Sequence, residues 1–229
     1  MLKSQRTIGA DDPRISGARI FAEQLRHAIT ATSPDLPVDG LDRIPGSDAT
    51  GTVTCYVDVR GDFVDLSIQS DWWYSVGPAG IASAVLDALA FAQEMSLIAM
   101  ATLSHYGRTV KAREVDVSEF FPSQEEPVAN LAAETAAASK KIDRAISIVD
   151  AADRIGRLRD NPQQRLITGP RGLFHITMTG FAVQRADVNE GALSASGADL
   201  LVEDARAALT QASREADPRY WLSRGVADL

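Results

Sequence analysis

Val53-Thr54-Cys55-Tyr56-Val57-Asp58-Val59-Arg60-Gly61-Asp62-Phe63-Val64-Asp65-Leu66-Ser67-Ile68 decides the fold. Val53, Cys55, Val57 and Val59 alternate with Thr54, Tyr56 and Asp58, the period of a strand with one buried face. Arg60-Gly61-Asp62 reads as a hairpin turn, and the strand returning from it puts Val64, Leu66 and Ile68 on one face. A lone hairpin is marginal in water, so something must cover it. Downstream, Asp71-Trp72-Trp73-Tyr74 leads to Gly77-Pro78, and proline suits the first turn of a helix. The spacing of Ile81, Val85, Leu89 and Ala92 predicts that helix over Pro78–His105, capped at Gly107. Upstream, Ile15, Ala18, Ala22, Leu25 and Ile29 predict a helix over Arg14–Ala31. Between that helix and the hairpin, Pro34 to Thr50 carries three prolines and two glycines before the last few residues and reads as loop.

The same order returns about 120 residues later. Ile68 aligns with Val188, Trp73 with Leu193, Gly77 with Gly197, Ile81 with Leu201, Val85 with Ala205 and Leu89 with Leu209. With one residue fewer in the second turn, Val53, Cys55 and Val57 align with Phe174, Ile176 and Met178. The expectations for this half are a helix from Pro127 to about Arg159 and strands over Gly172–Met178 and Ala182–Val188. A last helix follows over Leu200–Glu215, preceded by the capping-box pattern Ser196-Gly197-Ala198-Asp199. Thr109–Val117 is a weak extra strand and Pro122–Pro127 a linker. The chain thus reads as α+β, a duplicated helix–β-hairpin–helix over 14–121 and 127–229, with each hairpin shielding the other in an intrachain pseudo-dimer.

Composition bounds the function. The chain has 229 residues, 45% hydrophobic and 24% charged, which is globular rather than disordered. One cysteine excludes an internal disulfide and favours a reducing, cytoplasmic setting. The N-terminus lacks the apolar stretch of a signal peptide. Ile81–Leu103 is apolar, but Asp87, Gln93 and Glu94 interrupt it, so it reads as a core helix and not a membrane span. The net charge of −8 opposes coating of DNA by the overall field.

The run Gly51–Ile68 followed by Asp71-Trp72-Trp73 resembles the YbaB/EbfC nucleoid-associated family, which has a G-x-V-x-V strand, a glycine turn, a second strand and a long helix. The likeness covers about residues 14–106 and, more faintly, 128–215. It implies units that dimerise through their hairpins with projecting helices, and DNA binding with little sequence preference. It also implies an alternative, since acidic actinobacterial proteins resembling this fold accompany type VII secretion loci. In that case the chain is a protein-interaction or secretion-associated module without DNA binding. The duplication departs from the family, because a fused pair replaces the homodimer, although further homodimerisation stays open.

DNA binding needs cations. Residues 140–171 hold Lys140, Lys141, Arg144, Arg154, Arg157, Arg159, Arg165 and Arg171 against Asp143, Asp150, Asp153 and Asp160, a local charge of +4. Lys140, Lys141, Arg144, Arg154, Arg157 and Arg159 are the candidate phosphate contacts, weighed against a solvated helix face with pairs such as Asp150–Arg154. Trp72 and Trp73 are candidate partner contacts, with alternation turning one of them inward. Gly169-Pro170-Arg171-Gly172 precedes a strand and reads as a turn, not a phosphate loop. His27, His105 and His175 share no metal spacing with Cys55, which points inward. No acid–base pair stands out, so neither enzyme chemistry nor a cofactor is expected.

Overall fold

The computed structural model describes residues 13–32, 41–108, 162–194 and 197–217, with isolated positions between 139 and 160. The expected strand at 109–117, the linker at 122–127 and most of the helix from Pro127 lie outside the described residues. Every described position from 139 to 160 is helical. Contacts divide the chain into two compact units. One draws on 1–110, 166–177 and 183–213, the other on 111–165, 178–182 and 214–229.

The first half runs α1 (Pro13–Ala31), β1 (Ile44–Ser47), β2 (Val53–Val57), β3 (Phe63–Ile68), a short α2 (Trp72–Ser75) and α3 (Pro78–His105). The second runs β4 (Gln164–Thr168), β5 (Phe174–Thr179), β6 (Ala182–Val188), a 3-10 turn at Glu190–Ala192 and α4 (Ala198–Ala216). The fold is therefore α+β with two three-stranded antiparallel sheets, ordered β1-β2-β3 and β4-β5-β6.

Each sheet has one strand more than the expected hairpin, which corrects that reading. In β1, Ile44 opposes Val57 and Ser47 opposes Thr54. Its sequence, Ile-Pro-Gly-Ser, carries loop residues for packing reasons. Pro45 lacks an N–H but sits on an edge strand, where proline is tolerated. Gly46 lies under α3, and a Cβ there would fall 2.1 Å from the Ala92 backbone nitrogen. Ile44 supplies the buried anchor. In β4 only Ile167 is buried, too little alternation to mark a strand. The β2–β3 turn also begins earlier than the sequence suggests. Asp58 and Asp62 close it by a 2.9 Å backbone bond, taking Val59 out of the strand.

The core of the first half lies between the inner sheet face and α3. Val53, Cys55, Val57 and Leu66 meet a helix face carrying Ile81, Val85, Ala88 and Ala92, all fully or nearly fully buried. α3 is long and apolar enough to cross a membrane by length and composition, but half of its most apolar window is buried within the protein. It packs as a core helix. Gly107 closes it with the expected cap: its own N–H reaches Ser104 and the Arg108 N–H reaches Leu103.

Backbone bonds of the two halves correspond at an offset of 121 residues before the second hairpin turn and 120 after it. Asp48 N–H to Val53 O and Gly51 N–H to Asp48 O recur 121 residues on as Gly169 to Phe174 and Gly172 to Gly169. Gln69 N–H to Thr52 O recurs as Asn189 to Leu173, and Ile81 N–H to Gly77 O as Leu201 to Gly197. The offset falls from 121 to 120 across the β5–β6 turn, which is one residue shorter. Gly169-Pro170-Arg171-Gly172 is a turn, as its sequence suggests. At these positions the β-β-β-α order repeats down to individual hydrogen bonds.

Candidate interaction surface

In a three-stranded sheet the third strand has a free edge, whose outward N–H and C=O groups attract other strands unless covered. Along β3 every second residue turns its backbone outward. Gln69 bonds inward to Thr52, so Leu66 faces out. The Leu66 N–H donates to Asp65 Oδ1 at 2.8 Å, and its carbonyl accepts from Arg206 Nη2 of α4 at 3.2 Å. Arg206 Nη2 in turn lies 2.7 Å from Asp65 Oδ1. The ion pair thus takes both backbone groups of Leu66, as a neighbouring strand would. Three residues back, where a bulge shifts the register, the Phe63 N–H donates to Ser213 Oγ of the same helix at 3.2 Å. At Leu66 and Phe63 this edge is engaged by α4.

The seal has a second arginine. Arg43 meets Asp65 Oδ2 at 2.6 Å and lies over the Tyr56 ring, 4.1 Å from its centroid. Burial pulls the Asp65 carboxyl upward, but the Leu66 N–H, Arg43 and Arg206 outweigh it and hold the group below the usual carboxylate range. Asp65 correspondingly raises Arg43 through their hydrogen bond.

At the 120-residue offset, Leu66, Asp65 and Arg206 correspond to Ala186, Arg185 and Leu86. The acid has become a base and the arginine a leucine, so no such seal forms. Arg185 turns to Asp187 instead, at 2.5 Å. Asn189 bonds inward to Leu173, so alternation faces Gln184, Ala186 and Val188 outward. They face a cleft of about 390 Å³ between β6 and the first turns of α3, with Ala79, Ala82, Ser83 and Leu86 as its far wall and Glu190 at its end.

The residues singled out from the sequence fall elsewhere. Lys140, Lys141, Arg144, Arg154 and Arg159 lie outside the described residues. Arg157 is described and exposed, and pairs with Asp153 at 2.9 Å. In the second compact unit Arg165 pairs with Glu215 and donates to the Gly180 carbonyl at 2.6 Å, a structural role. Arg171 pairs with Glu203 at 2.9 Å. Trp72 is fully buried, with its ring edge-on to Trp73 at 5.2 Å, and cannot touch a partner. Its indole N–H has no hydrogen-bond partner among the described residues. Trp73 is half-buried, and the neighbouring Tyr74, unmarked in the sequence reading, is 90% exposed. Among the described residues no group of His, Cys, Asp and Glu is placed to hold a metal ion.

The β6 edge was not singled out from the sequence. The signal was present in the repeat alignment, as the change from Asp65 and Arg206 to Arg185 and Leu86, but it acquires meaning only once α4 is known to cross the β3 edge. No family model, curated protein or solved structure matches the chain.

Proposed function

We propose that the chain is a non-enzymatic protein-interaction module, a fused pseudo-dimer of two YbaB-like units in which one unit has kept a docking edge. The observation that carries this reading is the inequality of the two sheet edges. The β3 edge is engaged at Leu66 and Phe63 by Asp65, Arg206 and Ser213, whereas the β6 edge faces a cleft. In a fused pair the copies are free to diverge, one serving the fold and the other a partner. An overall charge of −8 favours a protein partner over a phosphate backbone. The competing DNA-binding reading rests on Lys140, Lys141, Arg144, Arg154 and Arg159, beyond the described residues, and on Arg157, already paired with Asp153.

Two measurements on the full chain separate the readings. A gel-shift assay with duplex DNA at low and moderate salt is expected to show no salt-sensitive retention. Co-purification from native cells is expected to yield one stoichiometric protein partner after nuclease treatment. DNA retention that falls with salt, and weakens when Lys140, Lys141 and Arg144 are changed together to glutamate, would overturn the proposal in favour of the nucleoid-associated reading.

A further inference from the structure

We infer that the β6 edge binds an extended, cationic segment of a partner protein by strand addition. This deepens the protein-interaction reading and rests on it. An extended peptide laid along β6 finds outward backbone groups at the exposed Gln184 and the half-buried Val188, with the buried Ala186 reached at the floor of the cleft between them, the pattern that strand addition uses. The span from 184 to 188 is about 13 Å, enough to pair a segment of four or five residues. The facing wall of α3 is lined by small residues and Leu86, which leave a cleft, whereas at β3 Arg206 and Ser213 of α4 reach the strand backbone itself. Residues of the segment that point toward α3 therefore meet a shallow apolar wall.

The charge of the segment follows from the cleft's own charges. Arg185 and Asp187 neutralise each other at 2.5 Å. Glu190 lines the same cleft, is exposed and has no ion-pair partner among the described residues. The cleft thus carries one uncompensated negative charge, on a chain whose net charge is −8. A lysine or arginine on the segment complements both, setting register through Glu190 and speeding encounter through the overall field. An acidic segment would meet repulsion from both.

The closed edge of the same molecule supplies the control. Changing Arg185→Asp and Leu86→Arg together transplants the Asp65–Arg206 pair onto Ala186 and should seal the β6 edge without touching the core. The probe is a phage-displayed random heptapeptide library panned on the full chain, followed by fluorescence polarisation with the selected peptides. The selected sequences should be rich in β-branched residues with at least one lysine or arginine. Their affinity should fall at least tenfold on the double variant, and equally when alternate backbone nitrogens of the peptide are methylated. Glu190→Lys, a surface change, should weaken the same peptides severalfold and keeps the test decisive if the double variant misfolds. Selection of no peptide, or of peptides that bind both variants unchanged, would overturn the edge proposal. A stoichiometric partner that still co-purifies with the double variant would also overturn it, while leaving the broader interaction reading standing. Salt-sensitive DNA retention would remove that reading itself.

Discussion

Asp204 Oδ2 accepts the N–H of Phe174 at 2.8 Å, in the place where Asp48 Oδ1 accepts the N–H of Val53 at the same distance. Phe174 and Val53 are equivalent in the repeat, but the carboxylates are not. Asp48 belongs to the turn it ties and also takes the Thr50 N–H at 3.0 Å. Its counterpart is Gly169, and the second half brings the acid from α4 instead, where it also takes the N–H groups of Arg171 and Leu173. The position equivalent to Asp204 in α3 is Ala84, a buried residue. One carboxylate per half is retained and its origin has moved, because the buried N–H groups of the turn must be satisfied by something.

Removing the two carboxylates should cost unequally. Asp204→Ala orphans three backbone N–H groups and unties α4 from the β4–β5 turn. It should destabilise the protein by on the order of 3 kcal/mol. Asp48→Ala orphans two N–H groups in a less buried turn and should cost about 2 kcal/mol. Asp204→Asn, which retains one acceptor oxygen, should fall between the wild type and Asp204→Ala. Urea unfolding midpoints at constant m-value measure all three. A larger loss for Asp48→Ala than for Asp204→Ala would show that the helix tie is unimportant.

Much of this architecture was legible in sequence where hydrophobic period and turn chemistry agreed. Val53–Val57, Phe63–Ile68, Ala182–Val188 and Pro78–His105 all lie where alternation or helical spacing puts them. The illegible parts were those shaped by a neighbour distant in sequence. Ile44–Ser47 hid behind proline and glycine because α3 demands a residue without a side chain there. Asp65 and Arg206 carry no local signal, since nothing in their neighbourhood shows that they jointly satisfy the backbone of Leu66. The contrast between the β3 and β6 edges was equally hidden, as it lies in contacts rather than in residue type.

Glycine-to-alanine changes should separate close approach from mere flexibility. At Gly46 a Cβ would lie 2.1 Å from the backbone nitrogen of Ala92, and at Gly169 it would lie 2.6 Å from the backbone oxygen of Asp204. Backbone cannot swing aside as a side chain can, so each change forces helix and strand apart. Gly46→Ala and Gly169→Ala should each cost about 3 kcal/mol, at the upper end of overpacking penalties. Gly17 is an exposed residue of α1 with open space around it. Gly17→Ala should stabilise by about 0.5–1 kcal/mol through helix propensity alone. Thermal denaturation of the three variants checks the pattern, and a neutral Gly46→Ala would contradict the packing of α3 on β1.

The Asp65 seal predicts an acid-sensitive edge. Its carboxyl is held lower in the folded protein than in the unfolded chain. The stability it contributes is therefore present above the unfolded carboxylate range, near pH ~4, and lost as pH falls through the folded value. Asp65→Asn should lower stability at neutral pH and flatten the acid limb of the stability curve relative to wild type. It should also loosen Arg206 from Leu66, exposing the β3 edge and increasing self-association. Urea midpoints from about pH 3 to 7, with light scattering at each pH, test both. An acid limb unchanged in Asp65→Asn would assign the acid sensitivity to other carboxylates.

Cys55 provides a probe of how tightly sheet and helix close. The side chain is fully buried in β2 and its thiol donates to the Val85 carbonyl of α3 at 3.6 Å. Burial, reinforced by the charges of Asp48 and Asp65, pushes the thiol up to about 12. Both inaccessibility and scarcity of thiolate oppose reaction near pH 8. Native protein should resist a disulfide reagent such as Ellman's, while denatured protein should titrate one thiol per chain. The slow native reaction then reports how often α3 lifts from β2. In Gly46→Ala, which pries the same helix from the sheet, labelling should accelerate at least tenfold at a denaturant concentration where the wild type is still folded. Equal rates in the two proteins would mean that the thiol becomes accessible by a motion that does not involve α3.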